Sequence, residues 1–312
     1  MKGLHIKATG RCLPKKILTN DDLSRMVDTN DEWITTRTGI KQRHICDGER
    51  NLDLAVGAAL QALGKAAVRP EEIGALIVTT FTPDHYTPAV ACLLAKALGL
   101  SHDIPAFDMN AACSGFLYAL QVANGLLLQE ERPYVLIVGS EVISKTTDWS
   151  DRSTCVLFGD GAGAALVERR EVGAFYTALG CDGNDVPLYC GGAGEDDRFI
   201  RMDGGEVFKF AVRIIPQTVG ELLEKSGLTL DDIDYFVCHQ ANRRIIESAA
   251  RKLRAPIEKF FINLDRYGNT SSASIPIALD EMGEAGLLKP GVKTLCVGFG
   301  AGFTWGGAIL EW

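Results

Sequence analysis

The sequence predicts a single α/β unit built from two related halves. Continuous apolar runs are typical of buried strands, and segments rich in helix formers lie between them. The order strand, helix, strand, helix, strand, strand occurs twice along the chain. Each half alone would expose an apolar helical face, so we expect residues 1–170 and 171–312 to pack against each other around a pseudo-twofold axis.

The segment that precedes the first series holds a short strand at 4–8 and a capped helix start at 20–22. The apolar residues of 31–40 follow no clean period, which favours a helix end followed by a loop. Leu, Ala and Val recur at helical spacing over 51–68, and this spacing predicts a helix there.

The two series are predicted from matching patterns. In the first, strands are expected at 75–80, just before Cys113, at 134–139 and at 164–168, with helices at 89–98 and 116–128. In the second, an acidic lead-in and apolar run over 230–239 match 71–80 and predict a strand that ends at His239. Further strands are expected at 260–263, 294–299 and 305–311, with helices at 244–253 and 272–282. Glycine-rich sequence at 173–205 is expected to form the junction and surface loops.

Composition narrows the class of protein. The 312 residues are 46% hydrophobic, enough for a large core, and the net charge of -8 disfavours nucleic acid as the main partner. Nine cysteines, an odd number without a Cys-x-x-Cys pair, indicate a reducing cytoplasm and neither a disulfide framework nor a metal site. No apolar run reaches the roughly 18 residues of a membrane span, and no signal peptide is indicated.

Cys113 is the candidate nucleophile because it lies where a strand runs into a long, almost uncharged helix. Unpaired N–H groups and the helix dipole favour a thiolate in a first helical turn. The alternative is that Cys113 is an inert buried thiol, as free cysteines commonly are.

His239 and Asn269 are the candidate partners of Cys113 from the second half. His239 ends an apolar strand, and Asn269 precedes a helix that matches the one after Cys113. Taken singly, His239 fits a structural histidine and Asn269 a helix cap or turn residue. A pseudo-twofold axis between the halves would bring the three residues to one point.

Six segments, in order along nearly the whole chain, resemble the β-ketoacyl-[acyl-carrier-protein] synthase III family. They are Asn-Asp-Glu-Trp-Ile-Thr-Thr-Arg-Thr-Gly-Ile at 30–40, Ala-Ala-Cys-Ser-Gly-Phe at 111–116, Phe-Gly-Asp-Gly-Ala-Gly-Ala at 158–164, His-Gln-Ala-Asn-Arg-Arg-Ile at 239–245, Gly-Asn-Thr-Ser-Ser-Ala-Ser at 268–274 and Gly-Phe-Gly-Ala-Gly-Phe-Thr-Trp-Gly at 298–306. The resemblance implies a thiolase-like fold, an α-β-α-β-α layered sandwich of two βαβαββ halves.

The resemblance also implies a two-stage reaction that initiates fatty acid synthesis. An acyl group passes from acyl-coenzyme A to Cys113, and decarboxylation of malonyl-acyl-carrier-protein then gives the carbanion that attacks it. Backbone N–H groups of Cys113 and Gly300 would hold the oxyanions, while His239 and Asn269 would stabilise the enolate.

Further residues are assigned by the resemblance alone. Coenzyme A would contact Thr29, Trp33, Arg37, Arg152 and Asn242, with the adenine stacked between Trp33 and Arg152; the acidic carrier protein would dock on Lys209 and Arg244. The acyl pocket would include Thr87 and Phe299. Many acetyl-specific relatives carry Phe at the position of Thr87, so we expect primers longer than acetyl. Acyl-coenzyme A is a substrate, no cofactor is expected, and the enzyme is expected to be a homodimer.

Three other interpretations remain open at this point, and two related families are disfavoured. The same three residues serve ketosynthase-III-like acyltransferases and condensing enzymes of secondary metabolism. Asn269 disfavours the related elongating synthases, and the lack of a cysteine after Gly298 disfavours thiolases. A non-catalytic nucleotide-binding protein would use the glycine turn at 159–163, but a strand rather than a helix is expected to follow that turn.

Overall fold

The computed structural model describes residues 3–129, 131–171, 173–192 and 194–312. In the first half these residues form β1 (Gly3–Cys12), β2 (Lys16–Thr19), α1 (Asn20–Leu23), α2 (Asp31–Thr38), β3 (Gln42–Ile45), α3 (Asn51–Ala66), β4 (Ile73–Thr79), α4 (Val90–Ala97), β5 (Ala106–Met109), α5 (Gly115–Leu126), β6 (Tyr134–Glu141), α6 (Arg152–Cys155) and β7 (Gly161–Arg170).

The second half contains its own sheet and helices. Its elements are β8 (Phe175–Asn184), β9 (Leu188–Cys190), β10 (Ile200–Met202), α7 (Gly204–Ser226), β11 (Tyr235–Cys238), α8 (Arg243–Leu253), α9 (Leu264–Tyr267), α10 (Ser274–Glu284), β12 (Lys293–Gly300) and β13 (Gly302–Glu311). Short 3₁₀ turns at Ala112–Ser114 and Ser271–Ala273 directly precede α5 and α10.

The two main sheets repeat one topology. The first has the order β1-β7-β6-β4-β5 and the second the order β11-β12-β13-β8. In each, a parallel pair (β4 with β6, β11 with β12) continues through two antiparallel pairings to the first strand of the half. Every strand of the first sheet precedes residue 171 and every strand of the second follows it. The predicted boundary between residues 170 and 171 falls between these two sheets.

The helices lie in three layers around the two sheets. Helix α5 packs between β4 and β6 on one side and β8, β12 and β13 on the other, and α10 contacts β1, β7 and β11. Helices α3 and α4 cover the outer face of the first sheet, while α7 covers that of the second and packs against α8. The layers confirm the predicted thiolase-like α-β-α-β-α sandwich. The two 3₁₀ turns that precede α5 and α10 adjoin this buried central layer.

Helix α7 contains a proline, and the neighbouring helix supplies the hydrogen bond that this proline cannot make. Pro216 has no N–H to donate to the carbonyl of Val212, four residues earlier. The ammonium group of Lys252 in α8 donates a hydrogen bond of 2.8 Å to that carbonyl oxygen instead. The substitute partner allows α7 to continue for 23 residues.

Three sequence-based expectations about elements are wrong. Residues 31–40 were expected to be a helix end and loop, but Asp31–Thr38 is a helix, capped by the Asn30 side chain and by Gly39 at a φ of 84°. The expected loops at 173–205 contain β8, which with α7 matches β1 and α3 of the first half. The strand expected at 260–263 is reduced to one bridge between Phe236 and Phe260.

Candidate active site

Cys113 lies in the 3₁₀ turn between β5 and α5, two residues before α5 begins, rather than in the first turn of that helix as the sequence predicts. The preceding residue, Ala112, has a φ of 47°, a left-handed conformation that L-residues seldom adopt. The turn packs against β12 of the second half. The Cys113 thiol therefore faces residues of both halves.

Gly300, the last residue of β12, packs directly against the nucleophile. A Cβ atom added to Gly300 would lie 2.7 Å from the backbone nitrogen of Cys113 and 3.3 Å from its Cβ. Only glycine allows this approach, because any side chain would push the two backbones apart. The two residues predicted to form the oxyanion hole are thus adjacent.

His239 follows β11 directly and is held on two sides. Its backbone N–H donates to the carbonyl of Val297 in β12 at 2.8 Å, and its Nδ1 lies 2.7 Å from Oγ of Ser274 at the start of α10. The ring meets Phe299 edge to face at 5.6 Å between centroids. Burial lowers the pKa of His239 to about 3, so the imidazole is neutral at physiological pH.

Asn269 is anchored through both its backbone and its side chain. Its backbone N–H donates to the carbonyl of Leu157, and its own carbonyl accepts from Gly159. The N–H of Ser271 donates to Asn269 Oδ1 at 2.9 Å. Because the oxygen of the side-chain amide is taken, its NH₂ group is the part free to meet a ligand.

The thiol environment differs from the sequence-based expectation. Burial raises the pKa of Cys113 to about 12, whereas interaction with the Ser271 side chain acts in the opposite direction. The residue precedes α5 and is half-buried between the two halves. Its desolvation there outweighs any effect of the helix dipole. The free protein therefore holds a protonated thiol.

Glu141, at the end of β6, is a buried carboxyl that sequence reasoning missed. One of its oxygens accepts a 2.6 Å hydrogen bond from Thr82, and the other lies 2.9 Å from the Ser272 hydroxyl. Burial raises the pKa of Glu141 to about 7. The contact with Ser272 ties the turn after Asn269 to the first sheet. No sequence pattern pairs Glu141 with Ser272, which lies 131 residues away.

Two cavities meet at Cys113. The smaller, of about 440 Å³, is also lined by His239, Asn269, Phe299 and Gly300. The larger, of about 1010 Å³, is lined by Thr87 and Ser271 among others. Thr87 and Phe299, both predicted for the acyl pocket, lie on different cavities. Thr87 lines the larger one, whereas Phe299 lines the smaller one and packs its ring against His239.

Three of the five residues predicted to contact coenzyme A line the smaller cavity, and a fourth, Arg152, lies against one of them. Trp33, Arg37 and Asn242 line it, and the guanidinium carbons of Arg37 and Arg152 lie 5.1 and 5.0 Å from the centre of the Trp33 ring. A base stacked between Trp33 and Arg152 needs about 7 Å, two van der Waals contacts, so Arg152 has to move by about 2 Å to admit one. The predicted sandwich is therefore closed in the free protein.

Two of the predicted contact residues have less obvious positions. Thr29 is not among the residues that line the smaller cavity, but its buried Oγ1 has no hydrogen-bond partner within the described part of the chain. Asn242 caps α8 by accepting from the N–H of Arg244 and donates to the carbonyl of Arg37 at 3.1 Å. Its side chain thus links α8 to α2 as well as facing the cavity.

The two predicted carrier-protein contacts lie on the neighbouring helices α7 and α8, and one of them lines the smaller cavity. Arg244 lines the smaller cavity, with its guanidinium 5.6 Å from the ring centre of Phe208 in α7. Lys209 is exposed on α7 and forms an ion pair of 2.7 Å with Glu206. Docking an acidic partner on Lys209 would therefore have to compete with that pair.

The glycine turn at 159–163 is a packing device. It leads into β7 rather than a helix, and a side chain at Gly159 would collide with the carbonyl of Tyr267. The Asp160 carboxyl accepts hydrogen bonds from the backbone N–H groups of Cys46 and Ser144. This arrangement has no helix N-terminus to hold a phosphate and disfavours the nucleotide-binding interpretation.

Comparison with known proteins identifies the family. A family model described as 3-oxoacyl-[acyl-carrier-protein (ACP)] synthase III matches residues 107–183, and one described as its C-terminal part matches 223–312. The chain is 48% identical to the β-ketoacyl-[acyl-carrier-protein] synthase III of Clostridium acetobutylicum, over 100% of this chain and 99% of that protein. The chain belongs to the β-ketoacyl-[acyl-carrier-protein] synthase III family. The predicted class, an acyltransferase that acts as a condensing enzyme, is confirmed.

Solved structures agree with this family membership. The 3-oxoacyl-[acyl-carrier-protein] synthase III from Aquifex aeolicus VF5 superimposes with a TM-score of 0.95 at 44% identity, over 99% of this chain and 100% of that one. The priming β-ketosynthase of the R1128 polyketide pathway gives 0.93 at 36% identity, over 99% and 96%. Among the described residues of this chain, no helix is long and apolar enough to cross a membrane.

Proposed function

We propose that the chain initiates fatty acid synthesis by condensing an acyl group from acyl-coenzyme A with malonyl-acyl-carrier-protein to give 3-oxoacyl-acyl-carrier-protein. The observation that carries the proposal is the position of Cys113 at the junction of two cavities. One cavity presents His239 and Asn269, and the other offers space for an acyl chain. A nucleophile shared by two such compartments suits an acyl group held on one side and a second substrate that enters on the other.

In the first stage the acyl group moves from one sulfur to another. The thiol of Cys113 loses its proton as its sulfur attacks the thioester carbonyl, the bond to the coenzyme A sulfur breaks, and that sulfur leaves as a thiol. The backbone N–H groups of Cys113 and Gly300 stabilise the oxyanion. A histidine whose pKa lies near 3 is a weak base, so in this stage His239 lines the cavity in its neutral form and does not act as the general base.

In the second stage the malonyl thioester occupies the smaller cavity. Loss of carbon dioxide places negative charge on the thioester oxygen, and hydrogen bonds from His239 Nε2 and the Asn269 amide stabilise this enolate. The carbanion attacks the acyl carbonyl, and Cys113 leaves as a thiolate that takes up one proton. Neutral His239 and a correctly oriented Asn269 are what this step requires.

Mass mapping of the acyl-enzyme tests the proposal. The protein is incubated with mass-tagged acyl-coenzyme A, digested and mapped, and malonyl-acyl-carrier-protein is then added to a second portion. We expect the acyl mass on Cys113 alone and its transfer to the carrier protein as a 3-oxoacyl group. Label on another residue, or no label, would contradict the mechanism, and Cys113→Ala is the control for non-specific acylation.

The proposal also covers the length of the acyl primer, which we expect to exceed that of acetyl. The larger cavity, at about 1010 Å³, is at the upper end of the roughly 300–1,000 Å³ usual for small-molecule pockets, and Thr87 takes little of it. We expect turnover with butyryl- and octanoyl-coenzyme A as well as with acetyl-coenzyme A. A strict preference for acetyl would contradict this assignment, and Thr87→Phe is expected to impose such a preference.

A homodimer in the cytoplasm is the expected assembly. Tyr86 and Val186 are 77% and 78% exposed, and Tyr86 lies beside the larger cavity, so a partner subunit there would bury apolar surface next to the acyl site. An odd number of cysteines without a Cys-x-x-Cys pair favours a reducing compartment. Sedimentation of the purified protein would test the dimer.

A second candidate is a priming condensing enzyme of secondary metabolism. The likeness to the polyketide priming β-ketosynthase favours it, because the two chains share their fold over almost their whole length. Turnover with the carrier protein of fatty acid synthesis, compared with one from a polyketide pathway, separates the two candidates.

A further inference from the structure

Ser274 and His239 form a buried pair whose geometry bears on the proposed enolate-stabilising step. Both residues are 2% exposed, and 2.7 Å separates Ser274 Oγ from His239 Nδ1. The tautomer of a neutral imidazole is set by the hydrogen bond that one ring nitrogen makes. The direction of this one bond therefore decides what the other nitrogen, Nε2, offers to a ligand.

The surroundings of the Ser274 hydroxyl decide that direction. Its oxygen accepts a hydrogen bond from the N–H of Gln240 at 3.4 Å. Within the described part of the chain, His239 Nδ1 is the other group at hydrogen-bond distance from this oxygen, so the single hydroxyl proton has Nδ1 as its acceptor only if Nδ1 carries no proton. If Nδ1 carried a proton instead, two donors would face one oxygen and the buried hydroxyl proton would have no acceptor, an arrangement that buried polar groups avoid.

We propose that Ser274 is a positioning residue that donates to His239 Nδ1 and thereby keeps the proton of the neutral imidazole on Nε2. His239 lines the smaller cavity with Cys113 and Asn269, so the Nε2–H group is a hydrogen-bond donor beside the reacting atoms. The opposite tautomer would present a lone pair to the enolate oxygen and repel it. Ser274 touches no substrate in this scheme and acts only through His239.

The packing of Ser274 explains how the tautomer is held. Ser274 is the first residue of α10, and the 3₁₀ turn before it is fixed to the first sheet through Ser272 and Glu141. The hydroxyl thus sits on a rigid element rather than on a mobile loop. Gln240, the residue after His239, donates its backbone N–H to the same oxygen at 3.4 Å.

The first test reads the tautomer in the intact protein and needs no activity. Nitrogen-15 spectra of histidine-labelled protein, with the His239 signals assigned by their loss in His239→Gln, should show a protonated Nε2 and an unprotonated Nδ1. A protonated Nδ1 would overturn the inference. This readout stands even if the proposed reaction fails, so the two failures are distinguishable.

The second test uses substitutions and separates the two stages. In Ser274→Ala we expect malonyl decarboxylation to fall about tenfold, the equivalent of one net hydrogen bond, and the His239 signals to move towards a mixed tautomer. Transfer of the acyl group to Cys113 should stay within about twofold, because it does not use Nε2–H. Ser274→Thr keeps a hydroxyl and should restore decarboxylation.

A matched control removes a buried hydroxyl elsewhere. Thr218, 1% exposed in α7, donates to the carbonyl of Ile214 within its own helix, and Thr218→Val should change neither stage. An unchanged tautomer and unchanged decarboxylation in a folded Ser274→Ala protein would refute the role. Equal losses in both stages would instead indicate a purely structural effect and would also contradict it. If Ser274→Ala does not fold, the spectrum of the unsubstituted protein decides.

Discussion

Replacing Gly300 with alanine tests the geometry of the oxyanion site most directly. The new Cβ would lie 2.7 Å from the backbone nitrogen of Cys113 and 3.1 Å from Cβ of Ala112. A carbon needs about 3.5 Å, so one of the two backbones has to retreat by roughly 0.8 Å. A displacement near 1 Å costs about 100-fold in rate, and loss of one oxyanion donor costs about 100- to 1000-fold. We expect acyl transfer to fall within that range.

The assay is single-turnover acylation of Cys113 followed by intact-protein mass spectrometry. Gly220→Ala is the matched control, because a Cβ at Gly220 meets nothing within 4 Å in the middle of α7. It should leave acylation unchanged and raise the free energy of unfolding by about 0.5–1 kcal/mol. A folded Gly300→Ala protein that acylates within about threefold of the unsubstituted rate would refute the oxyanion assignment.

Three further outcomes are expected. Asn269→Ala should spare acylation of Cys113 but lower malonyl decarboxylation about 100-fold, and equal losses in the two assays would contradict the division of labour. Arg152→Ala should raise KM for acyl-coenzyme A about tenfold with kcat nearly unchanged. Arg25→Ala, which removes another exposed ion pair, should leave this KM unchanged. An unchanged KM in Arg152→Ala, with a raised KM in Arg25→Ala, would contradict the assignment of Arg152 to the site. Because burial raises the pKa of Cys113 to about 12, its alkylation by iodoacetamide should speed up about tenfold per pH unit between about pH 7 and 9, and a plateau there would contradict the protonated thiol.

Local signals in the sequence account for much of the fold. Buried strands such as β4, β6 and β12 are continuous apolar runs, and their burial needs no knowledge of the partner strand. Helix α2 was missed because its apolar residues have no clean period. Its caps, Asn30 and Gly39, carry the signal that would have found it.

Elements that depend on distant partners were harder to predict. Strand β8 is only partly buried and exists because it pairs with β13, more than a hundred residues further along the chain. Helix α7 contains Pro216, which interrupts the backbone hydrogen bonds of the helix, and a lysine from α8 donates the missing hydrogen bond. Neither partner is visible from the segment itself.

The sequence by itself determined the family resemblance, the repeat of elements and the candidates Cys113, His239 and Asn269. Only the tertiary structure decided that Gly300 lies against Cys113, that Phe299 faces the smaller cavity and that Ser274 meets His239. It also reversed the expected state of the thiol, since burial between the halves raises the pKa of Cys113. The physical reason is that local propensities act over a few residues, whereas desolvation and hydrogen-bond partners depend on which distant segments enclose a group.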